Sequence, residues 1–331
     1  MSPSPYNTSN NTVNQLPPLQ ESSATDTIVF LLFCLSLSIV IIAGNGLIVL
    51  AYRTNTRLRN KANTFLVSLA VSDILVGIVS LPCWVVVQLL GVSGVFYIIF
   101  IGFDIFSGLT SVLHLTAISI ERFIAISKPF LYPTLSSIYY KCTLSIAWAS
   151  AALLAGLYIV LQLYGMQKNY VPAVLLIGFL GPLFIICSMY CRIFIIAKSL
   201  IQKEPTVKEA EELSQAEKPR KKNAVKKEHK VAVTVLIITG LFFAAWLPHY
   251  VLLTLGATCW PGCFPSSGKD VARIVAFSKW MHYGNSAVNV FVYSFRDLEM
   301  RRTFARLLYN RLTRICIRLN TDVDDYGFST V

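Results

Sequence analysis

Long apolar runs, separated by short basic connections, dominate the chain from Thr27 onward. Thr27–Tyr52, Cys142–Gln167 and Asn169–Cys191 contain no charged residue, and in Val231–Gly268 only His249 is able to carry charge near neutral pH. Each run reaches the roughly 20 mainly apolar residues that a helix needs to cross a bilayer. Between Ala62 and Phe103 the sole charge is Asp73, and Gly91-Val-Ser-Gly94 divides that stretch into the end of one helix and the start of the next. A third helix then runs from about Val95 to Ser127, and a seventh from about Lys269 to Phe295. The pattern predicts an all-α fold, a seven-transmembrane helix bundle spanning 27–308, with a tail at 1–26 and another at 309–331. The polar, Glu/Lys-rich segment 199–227, with Pro205 and Pro219, is expected to be a mobile loop between the fifth and sixth helices.

Charge placement orients the bundle. Of the 29 Lys and Arg residues, 25 fall in the connections on one side and four (Lys168, Lys269, Arg273, Lys279) on the other. Basic loops stay cytoplasmic, so the amino terminus is expected outside. The first 26 residues contain no Lys or Arg and so lack the basic start of a cleaved signal peptide. The sequons at Asn7 and Asn10 would then be extracellular, either glycosylated or chance products of an Asn/Ser/Thr-rich tail. With 55% hydrophobic and 14% charged residues and a mean hydropathy of +0.60, the chain is far too apolar for a water-soluble enzyme. Its net charge of +12 is confined to loops, which makes a nucleic-acid binder a poor fit. Eight cysteines, mostly inside apolar runs, exclude a small disulfide scaffold. No clustered metal-ligand spacing and no nucleophile–base pair stands out, so an enzyme is not expected and no cofactor is implied. An odd number of spans also speaks against a carrier built from two inverted halves.

Ionisable residues inside a bilayer are costly and therefore point to function. Asp73, Asp104, the pair Glu121-Arg122, and Glu228 at the cytoplasmic start of the sixth helix stand out. Asp104 and Arg122 are 18 residues apart, which places one near the outer mouth and the other at the cytoplasmic rim. Gly108 and Ser111 continue the Asp104 face inward. Trp280, Tyr283, Asn285, Ser286, Asn289 and Tyr293 form a polar stripe that must face the bundle interior. Inter-helix hydrogen bonding accounts for Asn45 and Asn285. It accounts less well for Asp104, because the outer half of helices two to six offers no basic residue, so a cation from outside the chain is its natural partner.

Across about Asp26–Leu308 the chain resembles the rhodopsin-like (class A) G-protein-coupled receptors. The matching motifs are Gly44-Asn45, Leu69-Ala-Val-Ser-Asp73, Glu121-Arg122-Phe123, Trp148, Pro182 with Tyr190, Trp246-Leu-Pro248 and Asn289-Val-Phe-Val-Tyr293. Within that class it is most similar to the aminergic receptors, on Asp104, on Glu228-His-Lys230 and on Trp280-Met-His-Tyr283-Gly-Asn285-Ser286. The resemblance implies that Asp104 binds the ammonium of a small protonated amine. Ile105, Gly108, Trp246, His249, Tyr250, Trp280 and Tyr283 would complete that site, with cation–π contacts from the aromatic faces. His249 fits either a ligand contact or a plain bundle hydrogen bond.

Some positions depart from the aminergic pattern. Val174, Leu175 and Gly178 occupy places where catechol-binding receptors carry serines, which disfavours a catecholamine. Tyr97 replaces the cysteine that normally staples the second outer loop, and the loop around Gly165–Tyr170 is short and has no Cys. That combination resembles the melanocortin receptors, so a peptide remains an alternative ligand, beside a lipid or a nucleoside. Cys259 and Cys263 are either a small extracellular disulfide or two free thiols.

The resemblance also implies a mechanism. Arg122 would be held by Glu121 and Glu228 in the closed state, Pro248 would act as a hinge, and Pro182, Val112 and Phe242 would relay the shift sensed by Trp246. Tyr190 and Tyr293 would take over on opening. Asp73, Ser111, Asn285, Ser286 and Asn289 match a sodium pocket, with a sodium ion as an allosteric ligand, although Val290 replaces the usual proline of the seventh helix. Arg122, Pro129 and Phe130 match the contact with a heterotrimeric G protein; arrestin is a further implied partner. Arg296–Leu308 is expected to form a short amphipathic eighth helix on the cytoplasmic side of the membrane. Cys316 is either palmitoylated or a free thiol. The terminal Ser329-Thr-Val331 resembles the ligand of a PDZ protein. Together these features imply a multi-pass plasma-membrane receptor.

Overall fold

The computed structural model describes residues 24–166, 169–202, 217–259, 262–265, 267–296 and 298–310, together with Thr313. Eight helices are present among them, and the described residues contain no β-strand. Helix α1 is Ala24–Thr54, and α2 runs through Lys61–Leu75, Val76–Ser80 and Leu81–Leu90. Helix α3 is Val95–Ser127, and α4 is Ser137–Leu163. Helix α5 joins Tyr170–Ala173, Val174–Leu180 and Gly181–Gln202. Helix α6 is Glu217–Thr258, α7 is Gly268–Arg296 and α8 covers 298–310. The all-α expectation holds. Six helices are long and apolar enough to span a membrane; α7 is not among them because its polar stripe lowers its hydropathy.

Local chemistry sets the boundaries. Gly91 and Gly94 both have positive φ, 59° and 70°, a conformation open to glycine at little cost, and the chain turns there between α2 and α3. Asn60 caps α2 by accepting the Asn63 amide at 2.8 Å, and Ser136 caps α4 through the Ile138 amide at 3.2 Å. The middle segments of α2 and α5 are π-type turns, local widenings that alter the direction of the side chains beyond them.

Helix α3 runs through the centre, and most of its residues from Phe100 to Arg122 are buried. Around it, the outward faces of the other helices stay apolar and exposed, as at Ile146, Leu153, Ile177 and Phe184. A belt of large exposed hydrophobics on helices of spanning length is what a lipid-facing surface requires. Trp148 of α4 donates its indole N–H to Ser68 of α2 at 2.9 Å, and His114 of α3 meets the same hydroxyl at 2.7 Å, tying three helices together.

The connection between α5 and α6 is narrower than the pattern of charges suggested. Helical backbone extends to Gln202 and resumes at Glu217, so both flanks of the segment 199–227 are helix rather than loop. The Glu/Lys-rich composition there is as compatible with an exposed helix as with a coil. Helix α8 lies as expected after α7, burying Met300 and Phe304 while Leu298 and Leu308 remain exposed. Its anchor is Asn55, whose amide donates to Glu299 at 3.0 Å and to Thr303 at 2.8 Å.

Candidate functional site

In the half of the bundle that carries the α2–α3 turn, Asp104 of α3 faces α7 and is 2% exposed. Tyr283 donates its hydroxyl to this carboxylate, 3.1 and 3.2 Å from its two oxygens. Lys279, one turn earlier on α7 and equally buried, forms an ion pair with Asp104. The carboxylate therefore already has a cation from within the chain, which corrects the expectation that its partner must come from outside. The helical period puts Lys279 on the face of Tyr283, four residues later; that this face meets Asp104 is set by how α7 packs on α3. Helices two to six offer no basic residue in this region, and the partner sits on the seventh.

Aromatic rings wall the site. Trp246 of α6 stacks on Phe242 at 5.5 Å and on Tyr250 at 5.6 Å. Gly108 makes this packing possible, since a Cβ at that position would collide with the Trp246 ring and approach the Tyr250 hydroxyl to 3.1 Å. Ile105, His249 and Tyr250 are buried in the same region. Trp280 departs from expectation: it packs on Phe33 of α1, with centroids 5.0 Å apart, on the side of α7 that meets α1. Two residues absent from the expected set join the site. Trp84 of α2 lies 5.5 Å from the Tyr283 ring, and His282 of α7 lies 3.6 Å from the Trp246 ring. His282 falls between the motif residues Trp280 and Tyr283, so the motif alone carries no signal for it.

One level deeper, Asn289 donates to Asp73 at 2.9 Å, and Ser286 lies beside the same carboxylate. The second Asp73 oxygen has no hydrogen bond, and neither has the side-chain oxygen of Asn45. Asn45 donates instead to the carbonyls of Ile41 and Ser286, both at 3.0 Å, in agreement with an inter-helix role. Asp73, Ser111, Asn285, Ser286 and Asn289 are all buried. Oxygen-rich, with an unsatisfied carboxylate oxygen, the cluster suits a small hard cation such as sodium.

Toward the opposite end of α3, Arg122 forms a fork-like pair with Glu121 through Nε at 2.5 Å and a terminal nitrogen at 2.9 Å. Tyr132, in the turn Tyr132–Thr134 between α3 and α4, donates its hydroxyl to the same carboxylate. Burial, and then the bond to Glu121, push the Tyr132 phenol well above its ordinary pKa. Tyr190 of α5 places its hydroxyl 3.3 Å from that of Ser119. Pro182, Val112 and Phe242 are buried, and Pro248 lies inside α6. Pro129 and Phe130 are exposed, Phe130 at 87%. A disulfide joins Cys259 and Cys263, with Cα atoms 5.6 Å apart. The side chains of Glu228 and Tyr293, and the positions Asn7, Asn10, Cys316 and Ser329–Val331, lie outside the described residues.

Comparison with known proteins places these features in a wider group. The family model described as "7 transmembrane receptor (rhodopsin family)" matches residues 44–293. The D(1B) dopamine receptor of Xenopus laevis is 29% identical over 307 residues, covering 80% of this chain and 66% of that protein. The human histamine H2 receptor is 30% identical over 305 residues, covering 83% and 78%. The 5-hydroxytryptamine receptor 7 of Xenopus laevis is 28% identical over 335 residues, covering 84% and 76%.

Proposed function

Because the chain belongs to the rhodopsin family of seven-transmembrane receptors, we propose that it is a plasma-membrane receptor, amino terminus outside, which binds a small extracellular protonated amine and activates a heterotrimeric G protein. The observation that carries the ligand class is the buried Asp104 carboxylate facing Tyr283 within an aromatic enclosure. The relatives named for dopamine, histamine and 5-hydroxytryptamine support the same reading.

The amine enters by exchange. A buried carboxylate left without a counter-charge is strongly unfavourable, and Lys279 supplies that counter-charge in the resting receptor. An incoming ammonium takes its place on Asp104 and keeps the Tyr283 hydrogen bond, so the charge balance at the carboxylate is preserved. The displaced Lys279 ammonium has the Phe100 ring 4.9 Å away as a partial refuge. The ligand activates to the extent that it binds the open bundle more tightly than the closed one. The route inward passes from Trp246 to Phe242 and Phe179, and the closed state is held by the Glu121–Arg122 pair. A G protein then engages Arg122 and the exposed Pro129-Phe130 corner. Sodium at Asp73 favours the closed state in this reading. Arrestin and a PDZ protein remain proposed partners of the cytoplasmic side.

Screening biogenic amines against transfected cells with a second-messenger readout tests the proposal. An amine that raises the signal in wild type and loses potency in Asp104→Ala supports it; unchanged potency in that variant rejects the amine assignment. One observation favours a second reading: Lys279 already neutralises Asp104, so a peptide, lipid or nucleoside lacking a cation would leave the pair intact and act elsewhere in the mouth.

A further inference from the structure

Next to Asp104, helices α6 and α7 each contribute a histidine. One ligand-capable atom from each of Asp104, His249 and His282 lies within 4.8 Å of the other two. The two imidazole rings are 5.0 Å apart, centroid to centroid, and tilted by 36°. Both histidines are almost completely buried. His249 Nε2 and both ring nitrogens of His282 lack a hydrogen-bond partner. Buried polar atoms are nearly always satisfied, and two buried imidazoles with unsatisfied nitrogens, each bringing a ring nitrogen within 4.8 Å of the same carboxylate, call for an explanation. Inter-helix hydrogen bonding does not provide one, because these atoms make none.

We propose that Asp104, His249 and His282 form a binding site for a transition-metal dication, Zn2+ first, that competes with Lys279 for Asp104 and clamps α3, α6 and α7 together in the outer bundle. Two imidazoles and one carboxylate are a donor set matched to zinc and ill suited to calcium or magnesium, which take oxygen ligands. Zinc–nitrogen and zinc–oxygen bonds of about 2.0–2.2 Å in a tetrahedral site hold ligand atoms roughly 3.3–3.5 Å apart. Side-chain rotation of the order of one ångström brings the present cluster to that spacing. The three protein ligands leave a fourth position for water or for a donor atom of a small molecule.

Electrostatics makes the binding competitive. A dication placed on Asp104 repels the Lys279 ammonium, which already lies over the Phe100 ring, 4.9 Å from its centroid, and keeps that contact as it leaves the carboxylate. His249 adjoins Pro248, the proline inside α6, and His282 touches the Trp246 ring. Metal binding is therefore coupled directly to the elements that move on activation. The inference shares Asp104 with the amine reading but needs no amine.

The test uses the full-length receptor purified into nanodiscs, with exposed Cys142, Cys187 and Cys191 changed to Ser in every sample to remove adventitious thiols. Co2+ is titrated as a spectroscopic substitute for zinc, and Zn2+ binding is followed by thermal shift. The expected result is one equivalent of Co2+ with the visible absorption of four-coordinate cobalt, and a rise in melting temperature with Zn2+. His249→Ala and His282→Ala should each weaken binding by about tenfold or more, while His282→Cys, which restores a ligand, should recover it. No four-coordinate cobalt spectrum in wild type, or equal affinity in wild type and both alanine variants, overturns the proposal. Should the alanine variants fail to fold, the wild-type spectrum and the His282→Cys variant decide it, since thiolate ligation changes the cobalt absorption. None of these readings involves an amine, so the metal site and the amine site can fail independently.

Discussion

Lys279 and Asp104 form a buried ion pair across α7 and α3, on the same carboxylate that accepts the Tyr283 hydroxyl. The pair makes the resting site electrically complete, so a ligand must displace a resident group rather than fill an empty charge.

Breaking this pair from one side should be costly. Lys279→Met leaves Asp104 buried and unpaired, with an expected loss of about 3–5 kcal/mol. The double variant Asp104→Asn, Lys279→Met removes both charges and should recover most of that loss. Thermal unfolding of wild type, Lys279→Met, Asp104→Asn and the double variant measures it; additive losses would show that the two residues do not interact. An amine agonist, once found, should stabilise Lys279→Met more than wild type, because it restores the missing cation.

Gly108 should tolerate no side chain. Alanine there sets a Cβ against the Trp246 ring and near the Tyr250 hydroxyl. Overpacking of this kind costs about 1–3 kcal/mol. Gly108→Ala is expected to melt earlier and, by moving Trp246, to alter basal signalling; an unchanged protein in both assays would contradict the packing described.

Tyr132 helps hold the Glu121–Arg122 pair. Tyr132→Phe removes the donor to Glu121, with an expected loss of about 1 kcal/mol and a rise in ligand-independent signalling. The pH behaviour follows from the upward shift of the phenol. A group whose folded pKa lies above its unfolded value of about 10 contributes stability that is fully present below that pH and is lost only as pH rises through the folded value. The stability difference between wild type and Tyr132→Phe should therefore stay constant from pH 6 to pH 9, measured as about the same melting shift across that range. A difference that shrinks within that window would count against the bond.

Sodium should stabilise the receptor through Asp73. Replacing potassium by sodium at constant ionic strength is expected to raise the melting temperature of wild type in proportion to the logarithm of sodium concentration once the site fills. Asp73→Asn should abolish the sodium-specific part. A shift that persists in the variant would place the ion elsewhere.

Much of the architecture was legible along the chain because a bilayer imposes a simple rule: backbone polar groups must be satisfied internally, so every long apolar run becomes a helix. The α2–α3 break at Gly91 and Gly94, the α3 limits at Val95 and Ser127, and the inward placement of Asp73 and Asn289 followed from that rule. The α5–α6 connection was harder to read, since charged residues suit a solvent-exposed helix as well as a loop and no lipid constrains them there.

The sequence by itself determined the helix count, the burial of Tyr283, Asn285, Ser286 and Asn289 on α7, the receptor family and the assignment of Asp104 and Tyr283 to one site. Each of these depends on periodicity within a helix or on motifs read in order. Tertiary structure alone decided that Lys279 neutralises Asp104, that Trp280 turns to α1 rather than to the site, and that His249 and His282 converge on the same carboxylate. These are relations between helices, set by how each is rotated against its neighbours. That rotation comes from packing summed over many side chains, so it is not written at any single position of the chain.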